Sequence, residues 1–335
     1  MKPIVFSFIV PVYNRIDEVR DLLESLLEQT DKGFEVVIVE DGSTERCDKI
    51  CSAAEEAGLK VKYIYKNNEG RSIARNTGID AAEGDYFLFV DSDCVIPPNY
   101  VATVRSALTR RWLDCFGGPD SAHFSFTDTQ KSINFAMTSY LTTGGIRGGR
   151  HSMEKFTPRT FNMGFSRKVF EEVGGFREMF SEDIDMSKRI EKAGFIIGLM
   201  PDAKVWHKRR VDFKKFFRQV HVFGMSRITL KLLYPGSLKV VHTLPALAVI
   251  LAVSIVLLGI FVTPWLFILP AIYILAVIML AYASTGSIKV AFLAVPASII
   301  QIVGYGTGFI RAWWSKILLR RGRNIDQEIA IRKGK

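Results

Sequence analysis

Two aspartates separated by a single serine, Asp91 and Asp93, end the apolar run that begins at Tyr86. Like charges this close repel each other unless a positive charge lies between or beside them. The pair therefore indicates a site that receives a positively charged partner. The alternative is a solvated strand end that leads into the loop at Pro97 and Pro98. The triplet alone leaves both interpretations open, because short motifs often occur by chance.

Polar or acidic residues also follow two earlier apolar runs. The run FSFIVPV leads into Tyr13 and Asn14, and the run FEVVIV ends in Glu40 and Asp41. In open parallel sheets, ligands bind just outside the carboxyl ends of the strands. We therefore expect these side chains and the aspartate pair to gather along one edge of a sheet.

The elements that must position these residues alternate between strand and helix. Short apolar runs are separated by segments with helical spacing, such as RIDEVRDLLESLLEQT. This order predicts an α/β fold, a doubly wound and mostly parallel sheet with helices on both faces. The sequence has no G-x-G-x-x-G after the first strand and no G-x-x-x-x-G-K-[ST]. Dinucleotide-binding and P-loop proteins are therefore disfavoured.

The last third of the chain differs in composition. Between Val240 and Ile310 there is no acidic residue, and Lys289 is the only formal charge. Each of three apolar runs in this block is close to the ~20 residues that a helix needs to cross a membrane. We therefore predict an α-helical membrane domain with segments at 240–262, 265–282 and 288–310.

The third apolar segment is expected to be broken or re-entrant. Pro296 and three glycines, Gly304, Gly306 and Gly308, weaken a straight helix. A break would also return the basic tail to the cytosol, as the positive-inside rule favours.

The predicted organisation has four parts. A globular catalytic domain occupies 1–211 and is followed by a connecting part at 212–239. The membrane segments then lie within 240–310, and a basic tail occupies 311–335. Residues 212–239 are interpreted as an amphipathic helix at the membrane interface with a connector. The apolar face of that helix comprises Phe213, Phe216, Phe217, Val220 and Phe223.

The net charge of +10 is typical of two kinds of protein, those that bind nucleic acid and those that lie at a membrane surface. The basic residues flank the apolar block, which favours anionic lipid and a cytoplasmic face over nucleic acid. The four cysteines lie in the globular part without the spacing of a zinc site, which fits a reducing compartment. We expect an integral protein of the cell (inner) membrane whose globular domain faces the cytoplasm.

Seven motifs between Phe6 and Val222 together resemble the family 2 glycosyltransferases, inverting enzymes that use nucleotide sugars on a single Rossmann-like domain. The motifs occur in the order of that family: PVYNR, VEDGST, GRSIARNTGI, FVDSD, FNMGFSRKVFEEVGGFRE, SEDIDMSKRIEKAGF and VWHKR.

The resemblance implies a donor site with a divalent cation, Mn²⁺ or Mg²⁺. Asp93 and His207 would hold the cation, and Asp41 would accept a hydrogen bond from uracil. Arg75 would steady the donor diphosphate. The complete set of donor-binding residues implied in this way is Pro11, Tyr13, Asn14, Asp41, Arg75, Asp91 and Ser92.

The resemblance also implies an acceptor side. Inverting transfer is a single displacement and needs a general base to take the proton of the acceptor hydroxyl. In the family's Glu-Asp pair the second residue is usually the base, which here is Asp183 beside Glu182. Asn162 and Gly164 would face the acceptor sugar.

One departure from the family pattern concerns polymer synthesis. Processive members carry Gln-x-x-Arg-Trp after the base, whereas Gln219 of this chain is not followed by Arg-Trp. We therefore predict transfer of a single sugar to a lipid-linked or membrane-proximal glycan acceptor in cell envelope polysaccharide biosynthesis. The resemblance implies that the donor is a UDP-sugar. The alternatives are a polyprenyl-phosphate sugar synthase and a catalytically inactive membrane-anchored binding module.

Overall fold

The structure, a computed structural model, describes residues 4–121, 126–143, 156–207 and 212–321. The chain divides into two units. The first comprises Met1–His123 and Phe156–Lys208, and the second comprises Phe124–Lys155 and Arg209–Lys335.

A mixed sheet forms the centre of the first unit, with strand order β3-β2-β1-β4-β8-β6-β9. The four strands from β3 to β4 are parallel, β8 is antiparallel to its neighbours, and β9 is parallel to β6. The predicted doubly wound, mostly parallel sheet is confirmed. The strands are β1 Phe6–Val12, β2 Phe34–Asp41, β3 Val61–Lys66, β4 Tyr86–Phe89, β5 Cys94–Val95, β6 Cys115–Gly117, β7 Asp120–Ser121, β8 Met163–Ser166, β9 Ile197–Leu199 and β10 Val205–His207.

Both faces of the sheet are buried, which explains why its central strands are apolar almost without interruption. Phe8 and Val10 of β1 pack into one hydrophobic cluster, whereas Ile9 packs into a cluster on the other face. The helices are α1 Ile16–Leu27, α2 Asp48–Glu56, α3 Arg71–Ala81, α4 Tyr100–Arg110, α5 Asp128–Thr138, α6 Tyr140–Thr143, α7 Arg167–Val173, α8 Glu182–Lys192, α9 Phe213–Leu233, α10 Leu244–Phe261, α11 Ile268–Thr285 and α12 Ile288–Ala312.

A small second sheet, with strand order β5-β10-β7, positions the chain that follows the aspartate pair. β10 is antiparallel to β5, so that His207 pairs with Cys94, and it is parallel to β7, so that Val205 pairs with Asp120. These pairings bring His207 next to Asp93 although 114 residues separate them in sequence.

The second unit is helical. Three of its segments are long and apolar enough to cross a membrane: Leu244–Phe261, Pro264–Thr285 and Ile288–Leu318. Long apolar helices are therefore present in the part of the chain where they were predicted, and their large apolar side chains are mostly exposed.

The predicted break in the third segment is wrong. α12 runs without interruption from Ile288 to Ala312 and contains Pro296. Its glycines serve close packing instead: a Cβ on Gly308 would lie 2.0 Å from the carbonyl oxygen of His221 in α9. Likewise, a Cβ on Gly224 of α9 would lie 2.0 Å from the carbonyl oxygen of Tyr305. Small residues of this kind let two helix backbones approach closely, which is the usual packing between membrane helices.

The apolar face of α9 packs inside the helical unit. Phe216 and Val220 are fully buried in a cluster with Ile133 and Ala136 of α5 and Ala297 of α12. Phe213 and Phe223 are partly buried against the same cluster, whereas Phe217 is exposed. A position of α9 at the membrane surface stays a prediction.

Candidate active site

Asp93 and His207 form the centre of the site. His207 Nε2 lies 3.1 Å from Asp93 Oδ1, and both side chains are largely but not completely buried. The imidazole stacks on the ring of Phe161 with centroids 5.0 Å apart, which fixes its orientation. The carboxylate of Asp120 lies 3.9 Å from His207 Nδ1, on the other side of the ring.

These ligand atoms fit a divalent cation. Asp93, Cys94 and His207 each offer an atom within 4.8 Å of the other two. Burial raises the pKa of the Cys94 thiol well above its usual value, and its Sγ donates to the carbonyl oxygen of Phe161 at 3.6 Å, so the carboxylate and the imidazole are the better ligands. One carboxylate oxygen and one imidazole nitrogen remain. Mn²⁺ and Mg²⁺ accept such a pair of ligands and would take oxygen atoms of water or of a bound ligand at their other coordination positions.

Asp41 lies at the carboxyl end of β2 and is only 4% exposed. Its Oδ1 accepts hydrogen bonds from Lys66 Nζ at 3.0 Å and from the Glu69 backbone N–H at 2.9 Å. Its Oδ2 accepts from the Gly70 backbone N–H at 2.9 Å. Tyr13 follows β1, the strand next to β2, and half of its side chain is exposed.

Asn14 connects the chain after β1 to the loop after β2 at this edge of the sheet. It has a left-handed backbone with φ 51°, and its Oδ1 accepts a hydrogen bond from the Thr44 backbone N–H at 2.8 Å. Its own N–H donates to Ser43 Oγ. Asn14 thus ties the end of β1 to the loop after β2. Pro11 and Ser92 lie on the same edge, and donor binding by all three stays a prediction.

A buried ion-pair network joins three elements of the first unit. Arg75 of α3 is 1% exposed, and its Nη2 donates to Asp91 Oδ1 while its Nη1 donates to Glu182 Oε1, both at 2.9 Å. Arg71, one turn earlier, donates through Nη2 to Glu182 Oε2 at 2.7 Å. Both oxygens of Glu182 are thus engaged. Burial raises the pKa of this carboxyl, and the two guanidiniums oppose that rise.

These contacts bear on two predicted roles. Arg75 directs its terminal nitrogens to protein carboxylates, and binding of the donor diphosphate by Arg75 stays a prediction. Glu182 is 2% exposed and holds two cations, which is the position of a structural anchor.

Asp183 has a different environment from Glu182. Its Oδ2 lies 3.3 Å from Arg159 Nη1, and its Oδ1 accepts from the Ile184 backbone N–H. The side chain is 14% exposed. Ser181, which precedes the Glu-Asp pair, has φ 66°. This uncommon backbone for a non-glycine residue is the kind of local strain that occurs at functional sites.

Asn162 and Gly164 are interior residues. Asn162 Oδ1 accepts from Tyr100 Oη at 2.7 Å, and its Nδ2 donates to the carbonyl oxygen of Ala203 at 2.7 Å. A Cβ on Gly164 would lie 2.4 Å from the ring of Phe116, so this glycine serves packing. Their contact with the acceptor stays a prediction that these surroundings do not favour.

Several functional neighbours were missed by the sequence reasoning. Arg71 could have been found, because it lies four residues before Arg75 on one helix face. No local signal marks the others, because strand pairing or loop closure brings them to the site. They are Lys66, Asp120 and Arg159. Arg15 belongs to the PVYNR motif, and its Nη1 lies 3.7 Å from Asp93 Oδ2.

The fold and the site together define a nucleotide-binding α/β enzyme domain, with its polar side chains at the carboxyl ends of the strands. Residues 7–174 match Glycosyl transferase family 2, and residues 138–331 match Glycosyl transferase family 21. The chain belongs to glycosyl transferase family 2. The family expected from the motifs is confirmed, and the expected enzyme class agrees with it.

Relatives share part of the chain. It is 30% identical over 200 residues to the uncharacterized glycosyltransferase YibD of Escherichia coli K12, a match that covers 60% of this chain and 54% of YibD. It is 38% identical over 129 residues to glycosyltransferase GlyA of Streptococcus pneumoniae, which covers 38% of this chain and 18% of GlyA. The chain thus matches little more than half of YibD and a smaller part of GlyA.

A solved structure shares the fold. The mannosyltransferase PcManGT from Pyrobaculum calidifontis, in complex with GDP-Man and Mn²⁺, superposes with a TM-score of 0.56. The two sequences are 17% identical, and the match covers 96% of this chain and 88% of PcManGT. The nucleotide-sugar-binding fold expected from the sequence is confirmed.

Proposed function

We propose that this protein is a membrane-bound inverting glycosyltransferase. It moves a single sugar from a uridine-diphosphate sugar to a hydroxyl of a lipid-linked or membrane-proximal glycan acceptor. The observation that carries the proposal is the arrangement of two separate groups, Asp93 with His207 and Asp183 with Arg159. Between them, Arg75 pairs with both Asp91 and Glu182, so a buried ion pair fixes the donor edge against the start of α8.

The donor side follows from the carboxyl edge of the sheet. Asp93 and His207 would hold Mn²⁺ or Mg²⁺, and the bound ion would neutralise the negative charge that grows on the departing diphosphate. Asp41 accepts a hydrogen bond from the base, beside the exposed ring of Tyr13. Arg75 holds one oxygen of Asp91. About a third of the Asp91 side chain remains exposed and can accept a hydrogen bond from a hydroxyl of the ribose or sugar.

The acceptor side requires one proton transfer. The acceptor oxygen attacks the anomeric carbon as the bond from that carbon to the diphosphate oxygen breaks, and Asp183 takes the hydroxyl proton. Arg159 orients the carboxylate of Asp183 from 3.3 Å. Since the attack and the departure occur on opposite sides of one carbon, a single displacement inverts its configuration.

A membrane-proximal acceptor is supported by the path of the chain. After β7 the chain enters the helical unit, where Phe135 of α5 packs with Val277 of α11 and Ala294 of α12. It returns to the first unit at Phe156, three residues before Arg159. The stretch that contains Arg159, which contacts the proposed base, is therefore joined in sequence to the unit that holds the candidate spans.

We propose that the protein lies in the cell (inner) membrane with its catalytic unit in the cytoplasm. Cys47, Cys51, Cys94 and Cys115 are buried free thiols, as expected of a reducing compartment. The basic residues that precede the first candidate span agree with this orientation. We propose that the sugar transfer takes place in the synthesis of cell envelope polysaccharide.

The function can be tested with the full chain in detergent or lipid nanodiscs. We expect a subset of UDP-sugars to be hydrolysed slowly without acceptor, to be transferred with lipid extract, and to be inert in EDTA. The anomeric configuration of the product, read by NMR, should be inverted. Binding without turnover would favour the inactive module, and strict dependence on polyprenyl phosphate would favour the synthase.

Replacing Asp93 with asparagine should abolish the effect of metal on nucleotide affinity. The amide has nearly the shape of the carboxylate but is a poor metal ligand. Without metal, the variant should melt at the same temperature as the wild type or higher, because one of two neighbouring negative charges is gone. Calorimetric titration of UDP with and without Mn²⁺ measures this, with exposed Asp17→Asn as the control. Unchanged Mn²⁺-dependent affinity in Asp93→Asn would exclude Asp93 as a ligand.

A further inference from the structure

The carboxylate of Asp41 has little capacity left for hydrogen bonds. A carboxylate has about four acceptor sites, two on each oxygen. Oδ1 already accepts from Lys66 Nζ and the Glu69 N–H, and Oδ2 accepts from the Gly70 N–H. Three sites are therefore filled from within the protein. The remaining site is on Oδ2.

Nucleobases differ in the number of donors that they can direct at one carboxylate. Uracil presents a single N–H, at N3, between two carbonyl oxygens. Guanine presents two parallel donors, N1–H and the 2-amino group, and needs an open site on each carboxylate oxygen. Adenine and cytosine place a ring acceptor next to their amino group, and a carboxylate repels that acceptor.

We propose that Lys66 makes the site selective for uridine over guanosine donors by filling the second acceptor site of Asp41 Oδ1. This inference rests on the proposed function, in which Asp41 holds the base. A base with one donor fits the single open site on Oδ2. Guanine would leave one of its two donors unpaired against Asp41, which is only 4% exposed, and this weakens binding.

The surroundings of Lys66 make it a fixed partner of Asp41. Residues 41 and 66 are paired in the register of β2 and β3, and the Lys66 side chain is largely buried. An ammonium group has three donors, and those of Lys66 reach Asp41 Oδ1, the carbonyl oxygen of Asn67 at 2.9 Å and Glu69 Oε2 at 2.5 Å.

The other two donors to Asp41 are backbone groups and do not vary with side-chain identity. The chain turns at Gly70 with φ 101°, a backbone that glycine adopts readily and other residues rarely. This turn directs the N–H groups of Glu69 and Gly70 at the carboxylate. In the part of the chain that the structure describes, Lys66 is therefore the side chain hydrogen-bonded to Asp41 whose replacement can open an acceptor site.

The test compares UDP and GDP affinities, measured by calorimetry with Mn²⁺, in the full chain and three variants. The wild type should prefer UDP. Lys66→Met keeps the length of the side chain but frees Oδ1, and should narrow the UDP:GDP ratio about tenfold or more, the value of one charge-assisted hydrogen bond. Lys66→Arg keeps a donor and should retain the preference. Glu69→Gln removes the ion pair to Lys66 but keeps the backbone donor to Asp41, and should also retain it.

A second measurement needs no variant. Inosine diphosphate lacks the 2-amino group of GDP and presents one donor, so the wild type should bind it more tightly than GDP. The inference is overturned if Lys66→Met still binds UDP and its ratio of UDP affinity to GDP affinity equals that of the wild type. It is also overturned if inosine diphosphate binds no better than GDP, since purines would then be rejected by size. A wild type that binds neither UDP nor GDP would instead refute the proposed function.

Discussion

Replacing Asp183 with asparagine should lower the turnover number of sugar transfer by about 10²- to 10⁴-fold, the usual contribution of a general base. The affinity for the nucleotide sugar should stay close to that of the wild type. Asp183 acts on the acceptor hydroxyl in the transition state, and such an interaction adds little to ground-state binding of the donor. Calorimetric titration of the donor and initial transfer rates at saturating donor measure the two quantities separately.

The alternatives to a base at Asp183 predict other outcomes. If Asp183 only stabilises the start of α8, asparagine should replace it nearly as well and activity should survive. If Asp183 bound the metal ion, donor affinity and turnover should fall together. The exposed Asp202→Asn is a matched control in the same unit, and it should change neither quantity. An active Asp183→Asn beside an inactive Glu182→Gln would move the base by one residue.

The structure gives a physical reason to separate the roles of these neighbours. A general base needs an oxygen that the substrate proton can reach. Both oxygens of Glu182 are held by guanidiniums in the interior. Asp183 has one arginine contact and is partly exposed. We therefore propose that Asp183 accepts the proton and that Glu182 positions Arg71 and Arg75.

The sheet could be predicted from the sequence because its signal is local. Runs such as FSFIVPV are apolar throughout, since residues on both faces of β1 are buried. The motif order then indicated the family, and with it the pairing of Asp93 with His207. Spacing alone could not have indicated that pair, because it depends on the register of β5 and β10.

Two other features could not be predicted, because their causes are distant in the chain. The motif around Arg75 suggested a phosphate ligand, whereas its carboxylate partner Glu182 lies 107 residues away. The glycines in α12 suggested a weak helix, because glycine has more backbone freedom than other residues and destabilises the interior of a helix. Their surroundings show that the absence of a side chain is what allows α9 to pack closely.

Replacing Arg75 with methionine should lower the free energy of unfolding by about 3–5 kcal/mol, the usual cost of removing one member of a buried ion pair. Methionine fills much of the space but leaves Glu182 in the interior paired with Arg71 and no longer with residue 75. Asp91 loses the same partner but is a third exposed, so water can solvate it. Arg71→Met is the informative comparison: that side chain is about half exposed, and its loss should cost less.

The loss of stability in Arg75→Met should depend on pH with a defined sign. Burial already raises the pKa of Glu182, and removing a guanidinium that opposes this shift raises it further. A carboxyl with a raised pKa in the folded state favours folding at low pH, and this contribution is lost as the pH rises through the folded pKa. The gap in melting temperature between variant and wild type should therefore be smaller at pH 5 than at pH 8. Adding Glu182→Leu to Arg75→Met removes the buried charge as well and should recover part of the stability. A gap that stays constant with pH, together with no recovery in the double variant, would show that Arg75 stabilises the fold by packing and not by charge.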